Sequence, residues 1–290
     1  MDRVRGGGIF TRRDFYIVAA RLFDKNRRMI KILFLGDVVG EPGRMAACRT
    51  IELYLERGDA DFVVVNGENA AAGRGITPKL AIDLMRSGAA VITTGDHVWD
   101  QKEIIPFMAT EPRVLRPANY PEGTPGAGSI VLDTPHGPVG VLNLQCRTFM
   151  KTALENPFLS ASSEVGKLRA ETPVILVDIH GETTSEKTAM GRHLDGKVSL
   201  VVGTHTHVQT ADERILPKGT GFLCDAGMCG PEDSVLGRDW EAVVGQFVTS
   251  MPVKFPVARG PVAALGVLVG VDPETGACRS IRRVAERYVP

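Results

Sequence analysis

The chain has 290 residues, of which 43% are hydrophobic and 23% are charged, a composition typical of a folded globular protein. Its 34 Lys and Arg residues balance its 34 Asp and Glu residues, so the overall charge gives no reason to expect direct DNA binding or attachment to a membrane surface. The longest apolar stretch, around residues 262–271, is too short to span a bilayer. Five scattered Cys residues argue against a disulfide framework and favour a cytoplasmic location.

The zero net charge conceals two unlike parts of the chain. Residues 1–28 hold eight basic and three acidic residues, whereas the remainder holds 26 basic and 31 acidic residues. A strand-like apolar run begins directly after Met29. We therefore expect residues 1–28 to be a basic appendage outside the fold, and residues 29–290 to form one domain. A basic segment with a binding role of its own is the alternative interpretation.

Short apolar runs alternate with segments of helical pattern along most of the chain. The predicted strands are 30–35, 62–65, 89–93, 139–144, 174–177 and 199–202, and the predicted helices are 44–57, 77–88, 159–170 and 186–194. This alternation indicates the α/β class with a largely parallel central sheet. A hairpin is predicted for 130–132 with 139–144, and further strands for 253–257, 263–271 and 278–284. The last three favour a mixed sheet or a second sheet.

Side chains that can bind metals follow five of these strands, each at the carboxyl end. They are Asp37, Glu68 with Asn69, Asp96 with His97, His180, and His205 with His207. Because the carboxyl ends of strands in an open α/β sheet converge on one crevice, we expect these groups to meet in one site. The pair His205 and His207 is the most specific signal, since alternation along an extended segment would place both rings on one side.

The donor set favours a pair of metal ions. A single catalytic zinc takes about three protein ligands, whereas this larger set suits two metals about 3.5–4 Å apart that share a bridging carboxylate. Oxygen and imidazole donors without thiolate favour Mn, Fe, Zn or Mg. Such a metal pair is suited to phosphoester hydrolysis. Each residue also has a structural alternative, as a helix cap, a polar turn or a buried histidine.

Seven short motifs together resemble the calcineurin-like metallophosphoesterases, and more closely the bacterial YmdB family of cyclic-nucleotide phosphodiesterases. They are 36–40 (GDVVG), 66–71 (NGENAA), 95–100 (GDHVWD), 116–119 (RPAN), 184–187 (TSEK), 203–210 (GTHTHVQT) and 225–231 (DAGMCGP). The resemblance runs from about Met29 to the C-terminus. It implies a four-layer α-β-β-α sandwich, with two mixed sheets between helices. It also implies a small cap over the site, for which residues 101–137 are the candidate segment.

The resemblance implies a role for each site residue. Glu68 would bridge the two metals, with Asp37, Asn69 and His207 completing one metal site and Asp96, His180 and His205 completing the other. His97 would be a general acid beside the scissile phosphate, and a metal-bound hydroxide would attack. The metals would be Fe or Mn, with Mg or Zn as alternatives. Asp96 stands where the family commonly has Asn, and Asn66 and Arg147 are further candidates for positioning the substrate.

The leading hypothesis is a dinuclear metal-dependent phosphodiesterase that acts on a small-molecule substrate, a 2′,3′- or 3′,5′-cyclic nucleotide. A nucleotide or protein phosphomonoesterase is the first alternative, because the same metals serve both reactions. A metal-containing regulatory protein with RNA-processing partners is the second. The expected role of His97 argues against that second alternative, because a binding protein needs no acid beside its metals. The resemblance further implies a homo-oligomer.

Overall fold

The computed structural model describes residues 28–152 and 154–289. Two β-sheets face each other, and helices cover the outer face of each. Residues 1–27, which make up nearly all of the expected basic appendage, lie outside the described residues. The guanidinium of Arg28 donates a hydrogen bond to the carbonyl oxygen of Gly58 at 3.1 Å.

The first sheet has seven strands of mixed direction. They are β1 (Ile30–Leu35), β2 (Asp37–Val38), β3 (Phe62–Asn66), β4 (Val91–Thr93), β11 (Met228–Pro231), β12 (Val262–Val271) and β13 (Cys278–Tyr288). Strands β1, β3 and β4 run parallel. Strand β12 is antiparallel to β1, β11 and β13, so the C-terminal strands complete this sheet.

The second sheet has six strands in the order β5-β6-β7-β8-β10-β9. They are β5 (Ser129–Thr134), β6 (Gly137–Gln145), β7 (Ile175–His180), β8 (Leu200–Thr204), β9 (Arg214–Ile215) and β10 (Gly221–Leu223). The pairs β6–β7, β7–β8 and β8–β10 are parallel. Strands β5 and β6 form the predicted antiparallel hairpin.

Alternating side chains of β1 divide between two cores. Leu33 and Leu35 pack into the core beneath the helices of the first sheet, whereas Ile32 and Phe34 pack against Leu176 and other residues of the second sheet. A third core lies between the second sheet and its own helices. Three cores separate four layers, because successive side chains of a strand point to opposite faces. The predicted α/β fold with two mixed sheets and flanking helices is confirmed.

Six helices connect the strands of the described residues. They are α1 (Gly40–Glu56), α2 (Pro78–Arg86), α3 (Ile104–Met108), α4 (Pro157–Leu168), α5 (Thr184–Leu194) and α6 (Trp240–Thr249). The four predicted helices are present, and α1 begins four residues early because its first turn tolerates Pro42. Thr77 caps α2, with its hydroxyl accepting from the Leu80 N–H at 3.4 Å. Helices α3 and α6 were not predicted. No helix in the described ranges is both long and apolar enough to cross a bilayer.

The strand predicted at 253–257 is wrong. These residues lie outside both sheets, and only Val257 forms an isolated bridge, with Arg238. Their β-branched and aromatic side chains suit a strand, but residues 253–256 are solvent-exposed and pair with neither sheet. In the candidate cap, residues 129–134 form the edge strand β5. The proposed closure of residues 101–128 over the site stays a prediction.

Candidate metal centre

The predicted site residues come from both sheets and meet where the carboxyl ends of the strands face each other. Asp37 begins β2, and Glu68 and Asp96 follow β3 and β4 of the first sheet. His180 ends β7, and His205 follows β8 of the second sheet. Short contacts connect these five residues to one another. The site therefore lies across the boundary between the sheets.

Four of these residues form one tight cluster of donor atoms. Single ligand atoms of Glu68, Asp96, His180 and His205 all lie within 4.8 Å of one another. The Nε2 atom of His180 is 3.1 Å from Asp96 Oδ1 and 3.2 Å from Glu68 Oε2. The Nδ1 atom of His205 is 3.0 Å from the same Nε2 atom and 3.4 Å from Asp96 Oδ1. This geometry matches the spacing of donors around one cation.

Three further predicted ligands adjoin this cluster, Asn69 and His207 on the side of Glu68 and Asp37 on the side of His205. Asn69 Nδ2 lies 2.9 Å from Glu68 Oε1 and 3.2 Å from His207 Nε2. Rotation of the Asn69 amide by half a turn would present its oxygen to the same position. Asp37 Oδ2 accepts from the backbone N–H of His205 at 3.1 Å. Glu68 thus lies between two groups of donors, the position that a bridging carboxylate requires.

Two features of Asp37 and Glu68 fit a bound cation. Oδ1 of Asp37 is a buried oxygen with no hydrogen-bond partner among the described residues, although most buried polar atoms have one. Burial, followed by the charge of Asp225, raises the pKa of Asp37 to about 7. Burial, followed by the charges of Asp96 and Asp37, raises the pKa of Glu68 well above its usual value. A cation between these carboxylates would offset their desolvation and mutual repulsion.

Gly95 permits the close approach of ligands from the two sheets. A Cβ atom at this position would overlap Oε2 of Glu68 and the imidazole ring of His180. The glycine follows β4 and precedes Asp96 and His97. Since any larger residue would displace two candidate ligands, the motif requires glycine here.

The backbone at His205 and His207 does not have the extended conformation that the sequence predicted. The segment is not extended, because His205 has φ 101° and His207 has φ 64°. Left-handed backbone is costly for residues other than glycine, by about 1–3 kcal/mol each, and such residues cluster at functional sites. The two rings meet different partners: His205 contacts Asp96, and His207 contacts Asn69. The expectation of strand-like alternation at this pair is wrong.

A buried hydrogen-bond chain sets the orientation of His180. The hydroxyl of Thr204 donates to Asp178 Oδ1 at 2.7 Å and lies 2.9 Å from His180 Nδ1. Because that hydroxyl proton is used on Asp178, Nδ1 of His180 must donate, which leaves the Nε2 lone pair facing Glu68 and Asp96. Asp178 also accepts from Thr93 at 2.6 Å and from Asn66 at 3.0 Å. Asn66 is therefore buried in this network and is not positioned to touch substrate.

A buried ion pair between helix α5 and the segment that follows β10 supports the loop that carries His205. The Lys187 ammonium lies 2.8 Å from Asp225 Oδ2, and both side chains are buried. The same carboxylate oxygen accepts from the hydroxyl of Thr206 at 2.7 Å and from its backbone N–H at 3.1 Å. The ion pair gives a structural role to one residue in each of two motifs, 184–187 and 225–231, for which the sequence analysis offered no role. A single sequence offered no signal that Thr204, Asp178 and Asp225 act together.

His97 lies beside the donor cluster but is not among its four members. Its Nδ1 is 3.1 Å from Asp100 Oδ2, and its backbone N–H donates to Glu68 Oε2 at 3.4 Å. The side chain is partly exposed, and burial lowers its pKa. Asp100 in turn contacts Arg74 at 3.2 Å. His97 therefore has a carboxylate beside Nδ1, and its role as a general acid stays a prediction.

The remaining histidines lie outside the cluster. His136 is in the β5–β6 turn, 3.7 Å from Asp61, and His193 contacts Ser162 and the ring of Phe158. Arg147 is exposed on the loop after β6, where its backbone N–H donates to Glu186 at 3.2 Å. Neither His136 nor His193 is a member of the donor cluster.

The family model described as YmdB-like protein matches residues 33–284. The chain belongs to the YmdB-like family. A Bacillus subtilis (strain 168) member named 2′,3′-cyclic-nucleotide 2′-phosphodiesterase is 46% identical over 255 residues, which cover 88% of this chain and 96% of the relative. The resemblance predicted from the seven motifs is therefore confirmed.

Two crystal structures share the YmdB-like fold of this chain. A hypothetical protein from Thermus thermophilus has a TM-score of 0.83 and 35% identity, covering 89% of this chain and 99% of that one. A phosphatase from Mycoplasma pneumoniae has a TM-score of 0.82 and 34% identity, covering 90% and 94%. Both structural matches extend over nearly the whole of each chain.

Proposed function

We propose that this YmdB-like protein hydrolyses 2′,3′-cyclic nucleotides to nucleoside 3′-phosphates with the help of two metal ions. The chain is a metal-dependent phosphoric ester hydrolase, as the names of its relatives and the cluster of metal donors support. The choice of a cyclic 2′,3′ substrate follows from the 46% identical Bacillus subtilis relative. A 3′,5′-cyclic nucleotide is the variant of this proposal with less support.

One observation carries the proposal: the donor atoms of Glu68, Asp96, His180 and His205 converge within 4.8 Å, with His97 next to them. Asp37, Asn69 and His207 would hold the second ion, with Glu68 shared. Bound in this way, the two metals would polarise phosphoryl oxygens and lower the pKa of a water ligand. Iron or manganese suits the mixture of carboxylate and imidazole donors.

Two residues of the chain would act on the leaving oxygen: His97 would protonate it, and Asp100 would orient His97. Hydroxide, formed when a water molecule gives one proton to solvent, would add to phosphorus as the bond from phosphorus to O2′ breaks. His97, in its protonated form, would donate the proton that completes the free 2′-hydroxyl, and its imidazole would then regain a proton from solvent. Asp100, 3.1 Å from Nδ1 of His97, would hold the imidazole with its other nitrogen towards that oxygen. A positioned general acid typically contributes about 10²–10⁴-fold to the rate.

A phosphomonoesterase is the second candidate, and the Mycoplasma pneumoniae phosphatase with the same fold favours it. The two candidates differ in whether the substrate phosphate carries one ester bond or two. The donor cluster could support either activity, so assays with defined substrates are needed to distinguish a phosphodiesterase from a phosphomonoesterase.

The test is a substrate panel with product analysis. The purified protein is loaded separately with Mn, Fe, Mg and Zn, and assayed on 2′,3′-cyclic AMP, 3′,5′-cyclic AMP and p-nitrophenyl phosphate. We expect the largest kcat/KM for 2′,3′-cyclic AMP, with 3′-AMP as the product by chromatography. A preference for p-nitrophenyl phosphate would favour the phosphomonoesterase. Release of 2′-AMP would contradict the assigned leaving group.

A further inference from the structure

A loop of the second sheet begins directly beside the metal centre. Gln145, the last residue of β6, is paired with the candidate ligand His180 at the end of β7. The next residue, Cys146, donates its backbone N–H to the carbonyl oxygen of His180 at 2.8 Å. The chain continues from there towards α4, which begins at Pro157. We refer to residues 146–152 as the β6–α4 loop.

Asn119 fastens the two ends of the connection between β6 and α4. Its fully buried side-chain amide donates to the carbonyl oxygens of Gln145 and Glu155, both at 2.9 Å. Its side-chain oxygen accepts from the N–H of Gln145 at 3.0 Å, and its carbonyl oxygen accepts from the N–H of Glu155 at 3.1 Å. These bonds give the last residue of the motif 116–119 a structural role, and they restrict the loop before any ligand is bound.

Glu186 fixes the loop to the start of α5. Its two carboxylate oxygens accept from the backbone N–H groups of Arg147 at 3.2 Å and Thr148 at 2.9 Å. Glu182, four residues earlier, lies 3.1 Å from Nε2 of His205. The loop and a candidate metal ligand are therefore supported by the same short stretch of chain. A loop held in this way loses little conformational freedom when it binds a ligand, which favours affinity.

Phe149 is exposed on this restrained loop. Its side chain is 86% exposed, a larger fraction than that of any other large hydrophobic residue in the part of the chain that the structure describes. Its backbone has φ 62°, a left-handed conformation that is rare for a bulky residue and that concentrates at functional sites. Burial in the core does not account for this ring, since most of its surface faces solvent. Its position beside the metal centre suits a ligand that offers a flat aromatic face.

Basic side chains and open space accompany Phe149. Residues 146–152 include two basic side chains, Arg147 and Lys151, and no acidic one. A cavity of about 400 Å³, within the range of small-molecule sites, adjoins the loop. It is lined by Arg147, Thr148, Asn156, Pro157, Phe158 and Glu186. An aromatic ring beside basic groups is the combination that proteins use to bind unpaired nucleotides.

The length of the loop limits the distance from Phe149 to the metal centre. Three residues of chain span at most ~11 Å, so the Cα atom of Phe149 lies within that distance of the Cα atom of Cys146. The N–H of Cys146 is bonded to His180. A nucleotide with its cyclic phosphate on the metals would extend its base over a similar distance. Phe149 is therefore placed to meet the base of a bound nucleotide.

We propose that Phe149 is the platform on which the nucleobase of the substrate stacks, so that the β6–α4 loop selects nucleotides from among small phosphoesters. This inference rests on the proposed cyclic-nucleotide phosphodiesterase activity. Phe149 touches the base and not the reacting atoms, so it determines specificity through KM. Stacking tolerates all four bases, because every base has a π face. We therefore expect purine and pyrimidine 2′,3′-cyclic nucleotides to be accepted alike.

The kinetic test compares a substrate that has a base with one that lacks it. The metal-loaded enzyme is assayed on 2′,3′-cyclic AMP and on glycerol 1,2-cyclic phosphate, which has the same five-membered cyclic diester and no base. Phe149→Ala should raise KM for 2′,3′-cyclic AMP by about 5–150-fold, the effect of losing one base–aromatic stack, with kcat little changed. Its kcat/KM for glycerol 1,2-cyclic phosphate should equal that of the wild type, which also shows that the variant folds and holds its metals.

Two further variants serve as controls. Phe149→Trp keeps an aromatic face and should bind 2′,3′-cyclic AMP at least as well as the wild type. Phe247→Ala removes a phenylalanine of comparable exposure, 82%, from α6, and should leave both kinetic constants unchanged. An unchanged KM in Phe149→Ala would overturn the proposal. So would an equal loss on the substrate without a base, because Phe149 would then support the site rather than bind the nucleobase.

A titration separates this inference from the proposed function. Isothermal titration of the metal-loaded protein with 3′-AMP and with inorganic phosphate measures binding without turnover. We expect the wild type to bind 3′-AMP more tightly than phosphate, and Phe149→Ala to lose about 5–150-fold in affinity for 3′-AMP alone. If the wild type hydrolyses neither cyclic diester, the proposed activity fails, and the titration still decides the role of Phe149. Equal affinities of the wild type and Phe149→Ala for 3′-AMP would exclude that role.

Discussion

The Nδ1 atom of His180 lies 2.9 Å from the hydroxyl oxygen of Thr204, in a contact with no solvent access. Thr204 donates its own proton to Asp178, so the contact determines which ring nitrogen carries the His180 proton. Burial lowers the pKa of His180 to about 4, which keeps the ring neutral. A neutral imidazole with a fixed tautomer is the form that binds a metal ion.

The first prediction removes this contact. Thr204→Val keeps the shape of the side chain but frees the His180 tautomer, and we expect metal affinity to fall by about 10–100-fold, as is typical when an outer-shell partner of a ligand is lost. Thr204→Ser is the matched control and should bind nearly as the wild type does. Isothermal titration with Mn²⁺ measures both. Equal affinities for the Val and Ser variants would show that Thr204 has no orienting role.

The second prediction concerns the shared carboxylate. Glu68 contacts His180 on one oxygen and Asn69 on the other, so Glu68→Ala should lose both ions. Elemental analysis after dialysis gives the stoichiometry directly. The control is Glu182→Ala, which removes an exposed carboxylate that lies 3.1 Å from Nε2 of His205. One ion retained in Glu68→Ala would contradict the bridging role.

The third prediction separates catalysis from metal binding at His97. We expect His97→Gln to lower kcat on 2′,3′-cyclic AMP by about 10²–10⁴-fold, with the metal content of the wild type. Asp100→Asn should have a smaller effect, because it removes only the group that orients the ring. Loss of an ion from His97→Gln would instead make His97 a ligand, and undiminished turnover would exclude it as the acid.

The fourth prediction addresses Asp96, which stands where the resemblance to the family leads us to expect Asn. Burial acts to raise the pKa of Asp96, but hydrogen bonds with His180 and His205 lower it overall, so the carboxylate is charged. Asp96→Asn removes one negative charge next to the cation, and we expect metal affinity to fall by at least about tenfold. Competition with a chelator measures the change. Tighter binding in the variant would mean that repulsion from Glu68 outweighs attraction to the metal.

Local pattern was enough to predict the α/β class and the approximate place of the site, whereas the four layers were implied by the resemblance to a known family. Asp37, Glu68 and His180 each follow or end a short apolar run, and the geometry of parallel strands brings such positions together. Thr204 could not be assigned a role in this way, since it has the composition of an ordinary β-branched strand residue. Its contact with His180 arises from the register of β7 against β8, where the two residues are directly paired.

The wrong predictions of local structure, at His205, in α6 and at residues 253–257, also have physical causes. The alternating polar and β-branched residues around His205 look extended, but the contacts of its ring with Asp96 and of its backbone with Asp37 hold it in a left-handed conformation. Helix α6 was missed and residues 253–257 were predicted as a strand because apolar side chains ordinarily indicate burial. Most of the apolar side chains of α6 and of residues 253–256 are exposed, which a rule based on burial does not anticipate.

The position of the centre across both sheets also constrains the order of events during folding. Asp37 and His207 are separated by most of the chain, and their ligand groups meet only after the two sheets have packed against each other. A metal ion therefore cannot organise the nascent chain as zinc does in a small zinc finger. Because contacts between distant parts of a chain cost loop-closure entropy before they stabilise the fold, we expect metal to be incorporated after the two sheets have packed, so that a newly made chain passes through a shaped but inactive apoprotein.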